Sequence, residues 1–303
     1  MSATALPRTR RRPRRPNWTA RLRRISQAVF VGLILAMSVR HNLVEGSGQT
    51  ASIDALCPFG AVETLWRFIT TGQFVPKTHL SNLILGAGLL IGIVLAGSSF
   101  CGWVCPFGAL QDALTWLRKA LHLPEIKVPV KADHILRYGR FVTLGLILFM
   151  TVSTVKLWFA GFDPYRTLFG LEWLFNFNLA EFWPAYLIVA IIVTGSLLIQ
   201  RFWCRYLCPL GGLMSLLGHV SFLRIRRNAD SCKGCALCNV PCPVGIDVAN
   251  AKNAVSTNCI GCLECVQACP RGGTLEVQLA PTWLDPLKRP ASLAQPAVEE
   301  VTQ

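Results

Sequence analysis

Twelve of the thirteen cysteines in this 303-residue chain fall into spaced groups, and thiolates at fixed spacing are the side chains here best suited to hold metal. Cys232, Cys235, Cys238 and Cys242, followed by Pro243, repeat as Cys259, Cys262, Cys265 and Cys269, followed by Pro270. Both runs have the C-x2-C-x2-C-x3-C-P spacing of two-cluster ferredoxins, where three thiolates of one run hold one 4Fe-4S cube and the fourth crosses to the other. On that pattern Cys232, Cys235, Cys238 and Cys269 bind cluster one, and Cys259, Cys262, Cys265 and Cys242 bind cluster two. Gly234 and Gly261, between the first two ligands of each run, permit a tight turn that aims backbone N–H groups at cluster sulfurs. Zinc is the competing reading, against which stand two full runs ending in Cys-Pro. Disulfides do not suit a cytoplasmic domain. With about 48 residues from Cys232 to Leu279, the module is too small for much apolar core, and clusters are expected to supply much of its stability.

A second group is Cys101 and Cys105 in CGWVCP, with Cys204 and Cys208 in CRYLCP. Cysteines four apart share a helical face, and the proline after each pair ends that turn or opens the next helix at its first position. The continuations CPFGALQDAL and CPLGGLMSLL make the unit look internally duplicated. Brought together, the pairs would form a third iron–sulfur site, or a redox-active thiol set handing electrons between membrane and ferredoxin module. Packed, inert thiols are the plain alternative. Cys57, in CPFGAVETL, belongs to a partial third copy with Ile53 in place of the earlier cysteine. It reads as a structural turn, with a quinone-side redox role as the other reading.

The elements that must hold these groups are apolar. Charged residues make up 15% of the chain and hydrophobic ones 52%, against roughly 25% charged in ordinary soluble proteins. Disorder is excluded by the apolar content and a small disulfide-stapled secreted domain by length. Runs of about 20 residues, long enough for a bilayer core of about 30 Å, are Ile25–Val44, Leu80–Phe100, Tyr138–Leu157 and Phe182–Ile199. The second and fourth hold no ionisable side chain, and their Gly, Ser and Thr suit close helix packing. Arg40 and His41 interrupt the first and must snorkel or line a polar site. Leu213–Leu223 is too short to span and reads as an interfacial or packed helix.

Orientation follows from the basic residues. The amino-terminal tail, the stretch from Cys101 to Arg137 and that from Arg201 to Arg227 hold nineteen Lys and Arg, while the alternate loops hold three, Arg67, Lys77 and Arg166. This predicts a multi-pass protein of the bacterial inner membrane with both termini cytoplasmic. Arg23 and Arg24 ahead of an apolar run also fit a twin-arginine signal, but no small-residue cleavage site follows cleanly and the later spans would retain the chain. Nine of the basic residues behind the net charge of +14 lie in the tail, so the charge reads as a topology and anionic-lipid signal, with no nucleic-acid partner.

The outward loops are rich in aromatic residues: Phe159, Phe162, Tyr165, Phe169, Trp173, Phe175, Phe177, Phe182 and Trp183 in one, Trp66, Phe68 and Phe74 in the other. They form an interfacial belt or, on the sharper reading, a pocket for a lipid-soluble ring such as a quinone. Glu45, Asp54 and Glu63 lie in the first of these loops, where a carboxylate could take a proton from a quinol. His41 and His79 near the same face could ligate a b-type haem, although interfacial histidines commonly hydrogen-bond or snorkel. No P-loop, nucleophile elbow or H-E-x-x-H is present, which leaves hydrolytic and nucleotide-dependent readings without a motif.

The basic amino-terminal segment, the four spans, CGWVCP and CRYLCP at inner ends, and CKGCALCNVPCP with CIGCLECVQACP resemble the NapH/NosR-type membrane iron–sulfur proteins, over about Ile25 to Gly272. The resemblance implies a quinol dehydrogenase membrane component that takes electrons from quinol and passes them through iron–sulfur centres toward periplasmic reductases. For residues it implies the eight ferredoxin ligands and the two cysteine pairs. A large periplasmic flavin-binding domain, as in NosR, and a long domain after the ferredoxin module, as in cytochrome-oxidase accessory proteins, are not found here, which leaves the pathway open.

The expected architecture is an α-helical integral membrane protein: a basic tail over residues 1–24, four transmembrane helices within 25–227, a small α+β two-cluster ferredoxin-like module over 228–280, and a disordered tail over 281–303. The expected function is electron transfer between the quinone pool and a redox partner, either a periplasmic reductase system or a soluble or membrane carrier. An accessory factor that reduces a metal or thiol during maturation of a respiratory enzyme is the alternative. A redox-sensing regulator would need an output element, and none is found.

Overall fold

The computed structural model describes residues 18–44, 58–72, 80–126, 128–154, 158–175, 177–251 and 255–279. The basic tail before Trp18, Glu45, Asp54, Cys57, Phe74, His79 and the segment after Leu279, each of which carried an expectation, lie outside the described residues.

Where water is excluded, a backbone must satisfy its own hydrogen bonds, so apolar runs fold as helices. α1 covers Trp18–Val44, α2 Pro58–Thr71, α3 Leu80–Ala96, α4 Ser99–Trp103, α5 Pro106–Ala120, α6 Val130–Leu136 and α7 Gly139–Thr154. After a turn at Trp158–Gly161 come α8 (Pro164–Phe169), α9 (Glu172–Phe175) and α10 (Leu179–Leu198), then a π-helical turn at Trp203–Leu207 and α11 (Pro209–Leu217). Strand β1 (Leu223–Arg227) pairs antiparallel with β2 (Leu275–Leu279), Ile225 opposite Val277, and α12 (Glu264–Ala268) lies between them in sequence.

The long helices are turned inside out relative to a soluble bundle. Leu33 and Met37 of α1, Ile84 and Ile91 of α3, Val142 and Phe149 of α7, and Leu187 and Ile191 of α10 are exposed, while Ser38, Gln111, Thr151 and Ser196 are fully buried. Apolar side chains outward and small polar ones between helices suit a lipid surround. Among the described residues three stretches are long and apolar enough to cross a membrane: Trp18–Leu43, Val130–Thr154 (α6 and α7 together) and Leu179–Leu198.

Several boundaries differ from the sequence expectation. α1 begins at Trp18, not Ile25, because Arg23 and Gln27 are buried against other elements and extend the helix beyond its apolar run. The run Leu80–Phe100 is broken: Gly97 takes a left-handed φ of 60°, ending α3 at Ala96, and α4 restarts at Ser99. The packed helix expected at Leu213–Leu223 forms only to Leu217, and Leu223 opens β1. The cysteines of each pair do not share one helical face. Cys105 and Cys208 are extended N-cap residues with φ/ψ of −63/123 and −65/115, and Pro106 and Pro209 take the first positions of α5 and α11. Of the two outcomes expected for the proline, helix opening is the one that occurs.

The ferredoxin module seats its second cysteine run directly on α4. The Trp103 indole N–H donates to the Gly261 carbonyl (2.9 Å), and a Cβ added at Gly102 would lie 2.5 Å from the Ile260 carbonyl oxygen. Real Cβ atoms do not approach a carbonyl that closely, so Gly102→Ala is expected to push the module off its seat at a cost of about 2 kcal/mol. Faster limited proteolysis at the Arg-rich β1 segment would report the displacement. A cleavage rate equal to wild type would show the contact to be loose.

Candidate metal centre

The two CxxxCP turns bring Cys101, Cys105, Cys204 and Cys208 together beneath the module. Cys101 lies within electrostatic reach of the other three thiols. At Cys105 and Cys208 the halves are alike in their donors as well as their backbones. The backbone N–H groups of Phe107 and Gly108 approach Cys105, and those of Leu210 and Gly211 approach Cys208. Each helix start thus aims amide dipoles at one sulfur, which favours thiolate there. The Gln111 amide donates to Cys204 Sγ (2.9 Å), and Met214 Sδ lies 3.2 Å from Cys101 Sγ. Burial is the main influence on these thiols and pushes all four up, Cys204 to about 12. A metal deprotonates a coordinating thiol outright, so iron suits this donor set and the dry site does not suit free thiolates.

Around the four thiols runs a buried ion network. Arg201, fully buried and at a left-handed φ of 55°, donates through Nε and Nη2 to Asp112 (3.0 and 2.6 Å) and through Nη1 to the Cys101 carbonyl (3.1 Å). Burial alone would raise the Asp112 carboxyl, but Arg201 outweighs it and holds that group below its ordinary value. Gln27 donates to the same carboxylate (2.9 Å), Arg23 stands 3.7 Å from it, and Arg23 continues to Glu264 (2.7 Å), between Cys262 and Cys265. On the other flank Asp133 accepts from Arg205 (2.6 Å), the Tyr206 hydroxyl (2.7 Å) and Arg137 (2.9 Å). Arg137 also donates to the Val244 carbonyl (2.6 Å), and Arg140 bonds Asn258. A cavity of about 20 Å³, bounded by Cys101, Cys204, Arg137, Arg140 and Arg205, separates the paired cysteines from the module. Cationic walls of this kind favour negative charge on the neighbouring cysteine sulfurs.

Within the module the crossed ligand sets are each drawn together. Cys232, Cys235, Cys238 and Cys269 line one cavity of about 140 Å³, the fourth residue coming from the other run. Cys242 acts electrostatically on Cys259, Cys262 and Cys265. Gly234 and Gly261, expected to permit tight turns, have left-handed φ, at 68° and 59°. Two residues further on, Ala236 and Leu263 are also left-handed, at 53° and 61°. Neither is a residue type that announces such a turn. Cys235 is exposed, and backbone donation from Gly234 followed by Arg227 lowers the Cys232 thiol, whereas Cys262 and Cys265 are buried. Among the described residues no three His, Cys, Asp or Glu side chains are drawn together as ligands of a single metal ion are. A cube, bound through four separate irons, takes its thiolates at wider spacing.

The aromatic loop divides. Tyr165 and Phe169 are buried and pack on Phe107 (centroids 6.3 and 5.4 Å), which in turn meets Trp203 at 6.0 Å. Trp173, Phe175, Phe177 and Trp183 stay exposed, as an interfacial belt requires. Arg201, Asp112, Gln111, Asp133 and Glu264 were missed in the sequence, where charges beside apolar runs read as topology signals. One hint was available: Arg201 and Arg205 flank Cys204 at the end of an apolar run, where a buried charge needs a partner.

The chain matches a 4Fe-4S binding domain over residues 78–124 and again over 181–228, and a 4Fe-4S dicluster domain over 224–270. Each match of the first kind contains one CxxxCP pair. It is 30% identical over 234 residues to the Escherichia coli protein YccM, covering 76% of this chain and 65% of that one. To the protein MJ0749 of Methanocaldococcus jannaschii it is 32% identical over 212 residues, covering 68% and 76%. To the ferredoxin-type protein NapH of Haemophilus influenzae it is 29% identical over 214 residues, covering 66% and 71%. The chain therefore spans slightly less than two thirds of its Escherichia coli relative. No solved structure matches it.

Proposed function

This chain belongs to the NapH/NosR-type membrane 4Fe-4S proteins, and from that premise we propose that it moves electrons between the membrane quinol pool and a redox partner along a line of iron–sulfur centres. The observation that carries the reading is the seating of the second ferredoxin run on two equivalent half-sites whose four cysteines face one another. Cys101, Cys105, Cys204 and Cys208 hold a centre at the membrane edge, Cys259, Cys262, Cys265 and Cys242 hold cluster two above it, and Cys232, Cys235, Cys238 and Cys269 hold cluster one at the module surface. Each such centre supplies one-electron chemistry when bound.

The residues supply the surroundings. Helix-start amides favour the charged form of Cys105 and Cys208, Arg201 and Arg140 offset negative charge at the paired cysteines, and Gly102 lets cluster two come close. The Arg23–Glu264 and Arg137–Val244 contacts fix the spacing between membrane and module centres. α3, 17 residues long and so about 25 Å, serves as the fourth span beside the three long stretches. The basic bias supports a topology with both termini on the cytoplasmic side of an inner membrane. Under this reading the protein is a quinol dehydrogenase component, and its partner is another redox protein, not a nucleic acid.

The test is to purify the protein from membranes, load it with iron and sulfide, and add a quinol analogue under anaerobic conditions. Bleaching of the iron–sulfur absorbance, blocked by a quinone-site inhibitor, is the expected result. Stoichiometric zinc with iron near zero would sink the cluster assignment. Clusters that soluble reductants reduce and quinol does not would remove the dehydrogenase reading and favour the assembly factor.

A further inference from the structure

The half of the membrane domain remote from the module buries a carboxyl group that the electron path does not use. Glu63 of α2 is 2% exposed. Its carboxylate accepts from the hydroxyl of Thr151, itself fully buried on α7, and from the Phe159 backbone N–H. Thr151 stands eleven residues along α7 from Arg140, whose side chain touches the module at Asn258. That spacing puts Glu63 about 16 Å away from the docking face. Its surroundings are aromatic: Phe59 and Phe159 meet edge-on at 5.8 Å beside it.

Glu63 is also tied to the electron path. Asp163, which acts on it electrostatically, caps α8, and α8 carries Tyr165 and Phe169 onto Phe107, two residues after Cys105. The polar side chains of α1 hold this helix from the other side, with Ser38 donating to the Phe169 carbonyl and Asn42 to that of Gly170.

We propose that Glu63 is the proton-accepting residue for a quinol oxidised at this end of the protein, an assignment that rests on the quinol reading above. Oxidation of one quinol breaks two O–H bonds and releases two electrons. The electrons would pass one at a time to the iron–sulfur centre that Cys101, Cys105, Cys204 and Cys208 would hold. Each proton goes to the Glu63 carboxylate and from there to water on the far side, so that the carboxylate is free again before the second transfer. The Phe59 and Phe159 rings offer an apolar surface on which a quinone ring can stack, and a buried, hydrogen-bonded carboxylate beside them is the base such a ring needs.

Burial, only partly opposed by the Thr151 hydrogen bond and reinforced by Asp163, raises the Glu63 carboxyl to about 7, where it can both take and release a proton near neutral pH. α3 and α11, packed on α2, present no titratable side chain, α7 holds only Arg140, and Asp163 is the facing acid. Arg67 lies one turn further along α2, and Arg166 three residues beyond Asp163.

The test uses the full-length, cluster-loaded protein in lipid with decylubiquinol as the probe. For Glu63→Gln the rate of cluster reduction at pH 7 is expected to fall about 100-fold, while dithionite reduces the clusters to the wild-type extent. Glu63→Asp should recover part of the rate. Infrared titration gives a readout independent of turnover: a protonated carboxyl band that titrates near pH 7, absent in Glu63→Gln and shifted upward in Thr151→Val, which removes the hydrogen bond that lowers it. A wild-type rate in Glu63→Gln, or no carboxyl band titrating near neutrality, overturns the assignment. Wild-type protein that decylubiquinol cannot reduce would instead overturn the quinol reading and the assignment with it.

Discussion

Replacing Cys101, Cys105, Cys204 and Cys208 together by serine is expected to lower the iron content of the loaded protein from about twelve atoms per chain to about eight, the complement of two cubes. Serine keeps the size and loses the thiolate, so the backbone of both CxxxCP turns should persist. The sharper form of the prediction comes from the equivalence of the halves. If Cys105 and Cys208, both extended N-cap residues, serve one centre, Cys101→Ser with Cys105→Ser should remove as much iron as the fourfold replacement. Reduction of the module clusters by quinol should be lost in both variants, while reduction by dithionite persists. A count that stays at eight in wild type and variants alike, with electron transfer unchanged, would eliminate the third site.

Arg201→Gln should be the most damaging single substitution away from the ligands. The guanidinium is completely enclosed and doubly bonded to Asp112, and removal of one member of a buried pair strands the other, at a cost of about 3 to 5 kcal/mol. Asp112 retains Gln27 and Arg23, so the lower end of that range, about 3 kcal/mol, is expected. A fall in melting temperature in detergent together with loss of iron from the paired cysteines would report it. Adding Asp112→Asn should recover part of the loss, because the double variant no longer buries an unpaired carboxylate. A melt superimposable on wild type would mean that Arg201 is dispensable to the fold.

Much of the chemistry could be read without coordinates. The two cysteine runs announce a ferredoxin module because thiolate spacing along a short chain is itself a geometric constraint, and the left-handed Gly234 and Gly261 are legible because glycine is the residue that adopts such turns freely. The long apolar helices were legible for the same kind of reason, since a bilayer sets a minimum length. The break at Gly97, the matching left-handed conformations of Ala236 and Leu263, and the extended N-caps at Cys105 and Cys208 were not. Each depends on what packs against the residue, such as Ser221 at Gly97, and local residue type carries no record of that.

The sequence by itself therefore determined which residues could hold iron, and that the chain is built largely of apolar helices. Only the tertiary structure decided that the two CxxxCP turns meet, that the second cysteine run and the end of the first sit on them, and that Arg201, Asp112, Arg23 and Glu264 join the two places. It also showed that Glu63, in the first outward loop, is buried. Ligand identity is a property of side-chain type and spacing, which a sequence states directly. Burial, charge pairing and the order of centres arise from contacts between segments far apart in the chain, and these exist only once helices and module have packed.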